Sequence, residues 1–128
     1  MREQLISFGP IFSNFNQIAK LKKELYKIKN GELKQSRIDC FEASKEMLQL
    51  LKITFEDIVG EIFTEIEIFK PSENYPPHID GNGISFFIGL ESGKFLIEST
   101  EYQISPFVLY KFDDRKLHNS NFCSIMLK

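Results

Sequence analysis

The chain has 128 residues, 42% of them apolar and 27% charged, the length and composition of one folded domain and not of a disordered segment. Its 18 acidic and 16 basic residues leave a formal charge of −2, without the basic excess of a general nucleic-acid or membrane-surface binder. The two cysteines, Cys40 and Cys123, form no paired-spacing motif, no apolar run reaches the roughly 18 residues of a membrane span, and Met1-Arg2-Glu3-Gln4 leads into no signal-peptide core, so a cytoplasmic protein is expected.

Residues 4–8 read as a short strand, broken by Gly9-Pro10. Ser13 or Asn14 then caps a helix reaching about Lys29, in which Ile18, Leu21, Leu25 and Ile28 recur with the spacing of one helical face, and Asn30-Gly31 stops it. The lysines at positions 20, 22, 23, 27 and 29 share this helix with Glu24 and read as a solvated face. A second helix is expected over residues 41–51 and a short turn over 55–59. From Glu61 the period changes: residues 61–69 are rich in β-branched and aromatic side chains, and Ile66-Glu67-Ile68 alternates. Pro71, Pro76 and Pro77 keep the next stretch extended or turning. Further strands are expected over 84–90, 94–98, 101–104, 107–112 and 122–127, with Glu91-Ser92-Gly93 and Ser99-Thr100 as hairpin turns. Two helices followed by short strands predict a single α+β domain spanning residues 1–128. Residues 1–60 are its mainly helical support, and residues 61–128 form a small antiparallel sandwich or barrel that carries the site. With 13 Phe, 4 Tyr and no Trp, its core is built from side chains that need no buried hydrogen-bond partner.

The two histidines of the chain are His78, in Tyr75-Pro76-Pro77-His78-Ile79-Asp80-Gly81, and His118, which follows a strand-like run. In an extended segment, residues two apart point to the same face, so His78 and Asp80 can converge while Ile79 turns away. Two imidazoles and a carboxylate are the ingredients of a facial triad, which holds ferrous iron on one side and leaves adjacent positions open. Asp113-Asp114, flanked by Arg115 and Lys116, reads as a solvated turn, and Cys123 as a buried thiol.

From about Phe63 to Lys128 the order of motifs resembles the iron(II)- and 2-oxoglutarate-dependent oxygenases. Ile66-Glu67-Ile68-Phe69-Lys70-Pro71 leads to Tyr75-Pro76-Pro77-His78-Ile79-Asp80. A strand follows in Ile84-Ser85-Phe86-Phe87-Ile88-Gly89-Leu90, then a glycine turn in Ser92-Gly93-Lys94-Phe95. A proline-led apolar strand comes next, from Ile104-Ser105-Pro106 to Phe112, and then Leu117-His118. That resemblance implies a double-stranded β-helix, a jelly-roll, cupin-like core with N-terminal supporting helices. It implies His78, Asp80 and His118 as ligands of Fe(II), with 2-oxoglutarate and O2 as co-substrates. It also implies Lys128, ten residues beyond His118, as the cation for the far carboxylate of 2-oxoglutarate; Lys94, Lys111 and Arg115 are the other cations considered. Tyr75 is a phenol close to His78, whereas Phe69 stands where members related to prolyl hydroxylases often carry tyrosine. The implied activity is hydroxylation of an unactivated C–H bond, on a peptide or protein as first expectation. Two alternatives stay open: a jelly-roll binding module without turnover, and a cupin-like metal protein that uses no 2-oxoglutarate. Neither nucleic acid nor membrane is expected as a partner.

Overall fold

The structure is a computed structural model that describes residues 4–58, 63, 65–73 and 75–128. Asn14 caps the first helix, its side-chain oxygen accepting the Asn16 amide at 2.7 Å, and α1 (Phe15–Lys29) ends before Gly31, which adopts φ 69°. Leu21 and Ile28 lie on the buried side of α1 as the spacing predicts, and so does Glu24, which is only 1% exposed. The reading of Glu24 as part of a solvated face is corrected by its partner: its carboxylate accepts the amide and the hydroxyl of Ser44, each at 2.7 Å. Ser44 immediately precedes α2 (Lys45–Ile58), so a buried anion sits at a helix N-terminus, where the backbone dipoles and charge-assisted hydrogen bonds offset its loss of water.

Helix α2 starts four residues later than expected because Cys40-Phe41-Glu42 forms a strand. It also runs through the residues expected to form a separate turn, as far as Ile58; Val59 lies outside the described residues. Met47, Leu51 and Thr54 recur on its buried face.

The strands are β1 (Leu5–Pro10), β2 (Gln35–Arg37), β3 (Cys40–Glu42), β4 (Ile66–Phe69), β5 (Ile84–Gly89), β6 (Gly93–Ile97), β7 (Thr100–Ile104), β8 (Val108–Asp113), β9 (His118–Ser120) and β10 (Ser124–Leu127). Part of the strand expected over 61–69, at Glu61, Ile62 and Thr64, lies outside the described residues. The strands make two antiparallel sheets: a larger one ordered β1-β8-β5-β10-β4-β3-β2 and a smaller one ordered β7-β6-β9. From β5 onward the chain passes from the large sheet to the small one and back, twice, which is the winding of a double-stranded β-helix. The first half of the chain also supplies β1, β2 and β3 to the large sheet.

Glu91-Ser92-Gly93 is consequently a corner between sheets and not a hairpin turn. Space is short there: a Cβ on Gly93 would stand 2.6 Å from the Phe122 ring, and one on Gly89 would stand 2.9 Å from the Glu91 carbonyl oxygen. The β6–β7 hairpin turns through Glu98 and Ser99, both at positive φ, as a two-residue loop between right-twisted strands requires.

Both faces of the large sheet are covered. Phe86 and Ile88 of β5, with Ile68, Ile125 and Leu127, pack against Leu21, Ile28, Met47 and Leu51 of the helices. Phe87, its neighbour in sequence, faces the small sheet among Phe95, Phe112 and Phe122. The molecule is therefore three layers, helices, large sheet and small sheet, with two cores.

Lys29 at the end of α1 ties the first layer to the corner between the sheets. Its ammonium lies 2.7 Å from one oxygen of Glu91, whose other oxygen accepts the Cys123 amide at 2.8 Å. Burial opposes the Glu91 charge, yet the hydrogen bonds from Lys29 and Cys123 outweigh it and hold the carboxyl below its usual pKa. A carboxyl with a lowered native pKa adds stability above its unfolded value, near 4.3, and that contribution is lost as pH falls through the native value. The urea-midpoint difference between wild type and Glu91→Gln is thus expected to be largest near neutrality and to shrink in acid. A difference independent of pH would contradict the coupling.

Candidate functional site

Between β4 and β5 the described residues form no regular strand, and Pro76-Pro77 hold the chain extended into His78. His78 and His118 pair across the gap as an isolated antiparallel bridge, with backbone N–H···O distances of 3.0 and 2.9 Å. His118 opens β9, and β9 is fixed on β6 by the pairing of His118 with Ile97. Residues directly opposite in an antiparallel pair project to the same face, and the two imidazole centroids are 4.4 Å apart. Ile79 is 64% exposed, whereas Asp80, two residues on from His78, turns in with it. The Asp80 Oδ2 atom is 3.7 Å from His78 Nε2 and 3.4 Å from His118 Nε2. One ligand atom from each of the three residues lies within 4.8 Å of the others.

The orientation of the rings follows from their second nitrogens. His78 Nδ1 faces the Pro76 carbonyl at 3.3 Å and His118 Nδ1 faces the Lys116 carbonyl at 2.8 Å. A carbonyl oxygen only accepts, so each Nδ1 donates to its carbonyl and Nε2 is the ring nitrogen turned toward Asp80. Burial lowers the pKa of His118 against the pull of the Lys116 carbonyl and Asp80, which favours its neutral form. Two imidazole Nε2 atoms and a carboxylate oxygen thus face one another. That donor set fits a divalent cation, and backbone bonds to the far nitrogen orient metal-bound imidazoles in the same way.

The triad borders a cavity of about 360 Å³ between the two sheets. Its walls include Phe69, Phe87, Phe95, Phe112 and Phe122. Phe95 stacks on the His118 ring at 5.9 Å, and Phe112 meets it edge-on at 4.8 Å. Such rings exclude water and strengthen electrostatic interactions inside. Tyr75 also lines the cavity, its ring edge-on to His78 at 4.9 Å and to Phe69 at 5.1 Å; burial raises its pKa and so keeps the phenol protonated.

Lys128 lines the same cavity. Its backbone exchanges hydrogen bonds with Glu65 at 2.9 and 3.0 Å, which continues the ladder beyond β10, and its register places it with Ser124 and Met126 on the cavity side. The three other cations named from the sequence are not among the lining residues. Lys94 lies 3.7 Å from Glu101, Arg115 lies 3.0 Å from Asp113, and Lys111 lies 5.9 Å over the ring of Phe86. Arg37 and Cys40, from the β2–β3 hairpin, do line it. The sequence reading missed both, because Ile38-Asp39 carries no glycine to announce a turn and Asp39 itself adopts φ 60°.

Asp113-Asp114 divides. Asp113 is the surface turn expected, with its pKa lowered to about 2 by Arg115. Asp114 is fully buried, which overturns the reading of a solvated pair. Cys123 belongs to the helix-side core, and burial pushes its thiol up to about 12. Burial also raises Cys40. Reactivity follows thiolate population and access, so neither cysteine is expected to react with iodoacetamide at about pH 8 in the folded protein, and both after denaturation. Mass spectrometry checks this, and native labelling of Cys123 would contradict its placement.

No protein-family model matches the chain, and no curated protein matches it. Solved structures do. The viral collagen prolyl hydroxylase of Paramecium Bursaria Chlorella virus-1, solved with 2-oxoglutarate, superposes with a TM-score of 0.61 at 12% identity, covering 98% of this chain and 95% of that one. A Pseudomonas putida prolyl-4-hydroxylase gives 0.52 at 13% identity, over 96% and 90% of the two chains. SnoN, a non-heme α-ketoglutarate-dependent epimerase from nogalamycin biosynthesis, gives 0.58 at 10% identity, over 98% and 76%. The chain thus has the α+β double-stranded β-helix fold of 2-oxoglutarate-dependent oxygenases, the superfamily its motif order resembles. Among the described residues no helix is long and apolar enough to cross a membrane.

Proposed function

We propose that this protein is an iron(II)- and 2-oxoglutarate-dependent oxygenase that hydroxylates a C–H bond, with His78, Asp80 and His118 as the iron ligands. The observation that carries the reading is the convergence of these three donors beside a largely apolar cavity that a lysine also lines. When bound, ferrous iron with 2-oxoglutarate and O2 supplies oxidative hydroxylation coupled to decarboxylation of the keto acid. The chain supplies the surroundings. The Pro76 and Lys116 carbonyls hold the imidazole planes, and Phe95 and Phe112 keep water from the ring of His118. Lys128 is the cation for the far carboxylate of 2-oxoglutarate, and the Tyr75 phenol is a hydrogen-bond donor for the same ligand. Two of the structural neighbours are prolyl hydroxylases by name, which supports a peptidyl substrate as the first class to test. A cytoplasmic location and a single domain over residues 1–128 belong to the same proposal.

One observation favours a second reading. Phe69 offers only carbon to the cavity, at a position where related enzymes often carry a tyrosine, and this suits a module that binds without turnover. Anaerobic addition of Fe(II) and 2-oxoglutarate is expected to give a weak visible charge-transfer band in wild type and none in His78→Ala. Lys128→Ala is expected to weaken 2-oxoglutarate binding by about tenfold or more, as loss of a charge-assisted contact does, with Fe(II) affinity unchanged. Succinate release on admitting O2 would exclude the module. Iron binding without any effect of 2-oxoglutarate would instead favour a cupin-like metal protein.

A further inference from the structure

Asp114 is 0% exposed, and both its oxygens are spent on neutral donors. One accepts the Gly83 amide at 2.8 Å and the other accepts the Ser85 hydroxyl at 2.6 Å. Its backbone faces the same segment: the Asp114 amide donates to the Gly83 carbonyl, and its carbonyl accepts the Asp80 amide, each at 2.7 Å. One residue at the end of β8 thus makes four hydrogen bonds to residues 80–85.

That segment needs an outside hold. Between the isolated bridge at His78 and the start of β5 at Ile84 it belongs to no strand; Gly81 and Asn82 are exposed, and Gly83 adopts φ 92°. Two glycines around Asn82 leave the backbone many conformations, most of which would swing Asp80 away from the imidazoles. Burying a carboxylate against neutral partners is costly, and the four bonds make the Asp80–Ser85 turn the thing it stabilises.

We propose that Asp114 is the positioning residue of the metal site: it fixes the turn so that the Asp80 carboxylate already faces His78 and His118 before an ion arrives. The proposal rests on the metal-site reading above. A site whose competent conformation is only partly populated binds more weakly by that fraction. Removing Asp114 should therefore lower metal affinity with little change in the three ligands themselves.

The test is Co(II) titration of the apo protein, following affinity and the visible ligand-field spectrum, with urea denaturation alongside. Asp114→Ala is expected to weaken Co(II) binding by about tenfold or more, the factor by which the competent turn is depopulated, and to alter the spectrum. Asp114→Asn keeps the shape with weaker, uncharged bonds and is expected to fall between, about threefold or more below wild type. Leu51→Ala, in the core on the helix side, should lose stability with Co(II) affinity and spectrum unchanged. Wild-type affinity and spectrum in Asp114→Ala would overturn the proposal, as would an equal loss in Leu51→Ala. If Asp114→Ala does not fold, Asp114→Asn decides, and unchanged binding there overturns it. A wild-type protein that binds no Co(II) removes the metal reading and this proposal with it, whereas binding indifferent to Asp114 removes this proposal alone.

Discussion

His78 and His118 lie far apart in the chain, yet they exchange both of their backbone hydrogen bonds across one antiparallel bridge. The placement of both imidazoles follows from that pairing. Direct opposition puts both rings on the same side of the backbone, and β9, itself fixed on β6, gives His118 a rigid base. The two-residue step from His78 puts the Asp80 carboxylate on the same face, and Asp114 holds the turn that carries it. A slip of the bridge by one residue would turn one imidazole out to solvent, because the side-chain period of an extended segment is two. The carbonyls of Pro76 and Lys116, each two residues before its histidine, then orient the rings. Position, face and ring orientation are thus all dictated by backbone geometry.

The two cores divide the remaining work. On the helix side, aliphatic chains of α1, α2 and the large sheet make an ordinary interior that holds the layers together. Between the sheets four phenylalanines and Tyr110 join aliphatic side chains, and the filling stops short of closing the space. Phenylalanine is suited to this, since it can wall a dry cavity without polar atoms that demand partners. Three buried or half-buried carboxylates stand at junctions: Glu24 where α1 meets α2, Glu91 where α1 meets the corner between sheets, Asp114 where β8 meets the turn carrying Asp80. Each is hydrogen-bonded by backbone amides or hydroxyls, and each fixes a contact that apolar packing alone leaves free to slide.

Much of this was legible in the sequence, for identifiable reasons. Helix α1 carries a cap, a clean apolar stripe and an Asn-Gly stop, and these mark both of its ends. The strands from β5 to β8 are bounded by turn residues and dense in aromatic and β-branched side chains, so their order could be followed. His78 and Asp80 were legible because alternation in an extended segment is local information. Helix α2 was misplaced because Phe41 and Ala43 fit either a helix face or a strand, and pairing with β4, invisible in the local pattern, decided for the strand. The β5–β6 connection looked like a hairpin because a Gly-containing turn says nothing about which sheet the next strand joins. Asp114 looked like surface because its neighbours Asp113, Arg115 and Lys116 are charged. Only the approach of Gly83 and Ser85, distant in sequence, makes it an interior residue.

The most direct test of the account is the position of a bound ion. Crystals grown or soaked anaerobically with Mn(II), a redox-stable stand-in for Fe(II), would locate it by anomalous scattering. The account predicts one strong peak about 2.0–2.3 Å from Nε2 of His78, an oxygen of Asp80 and Nε2 of His118, with its remaining positions open to the cavity. A peak elsewhere on the chain, or one that engages only one of the two histidines, would contradict it.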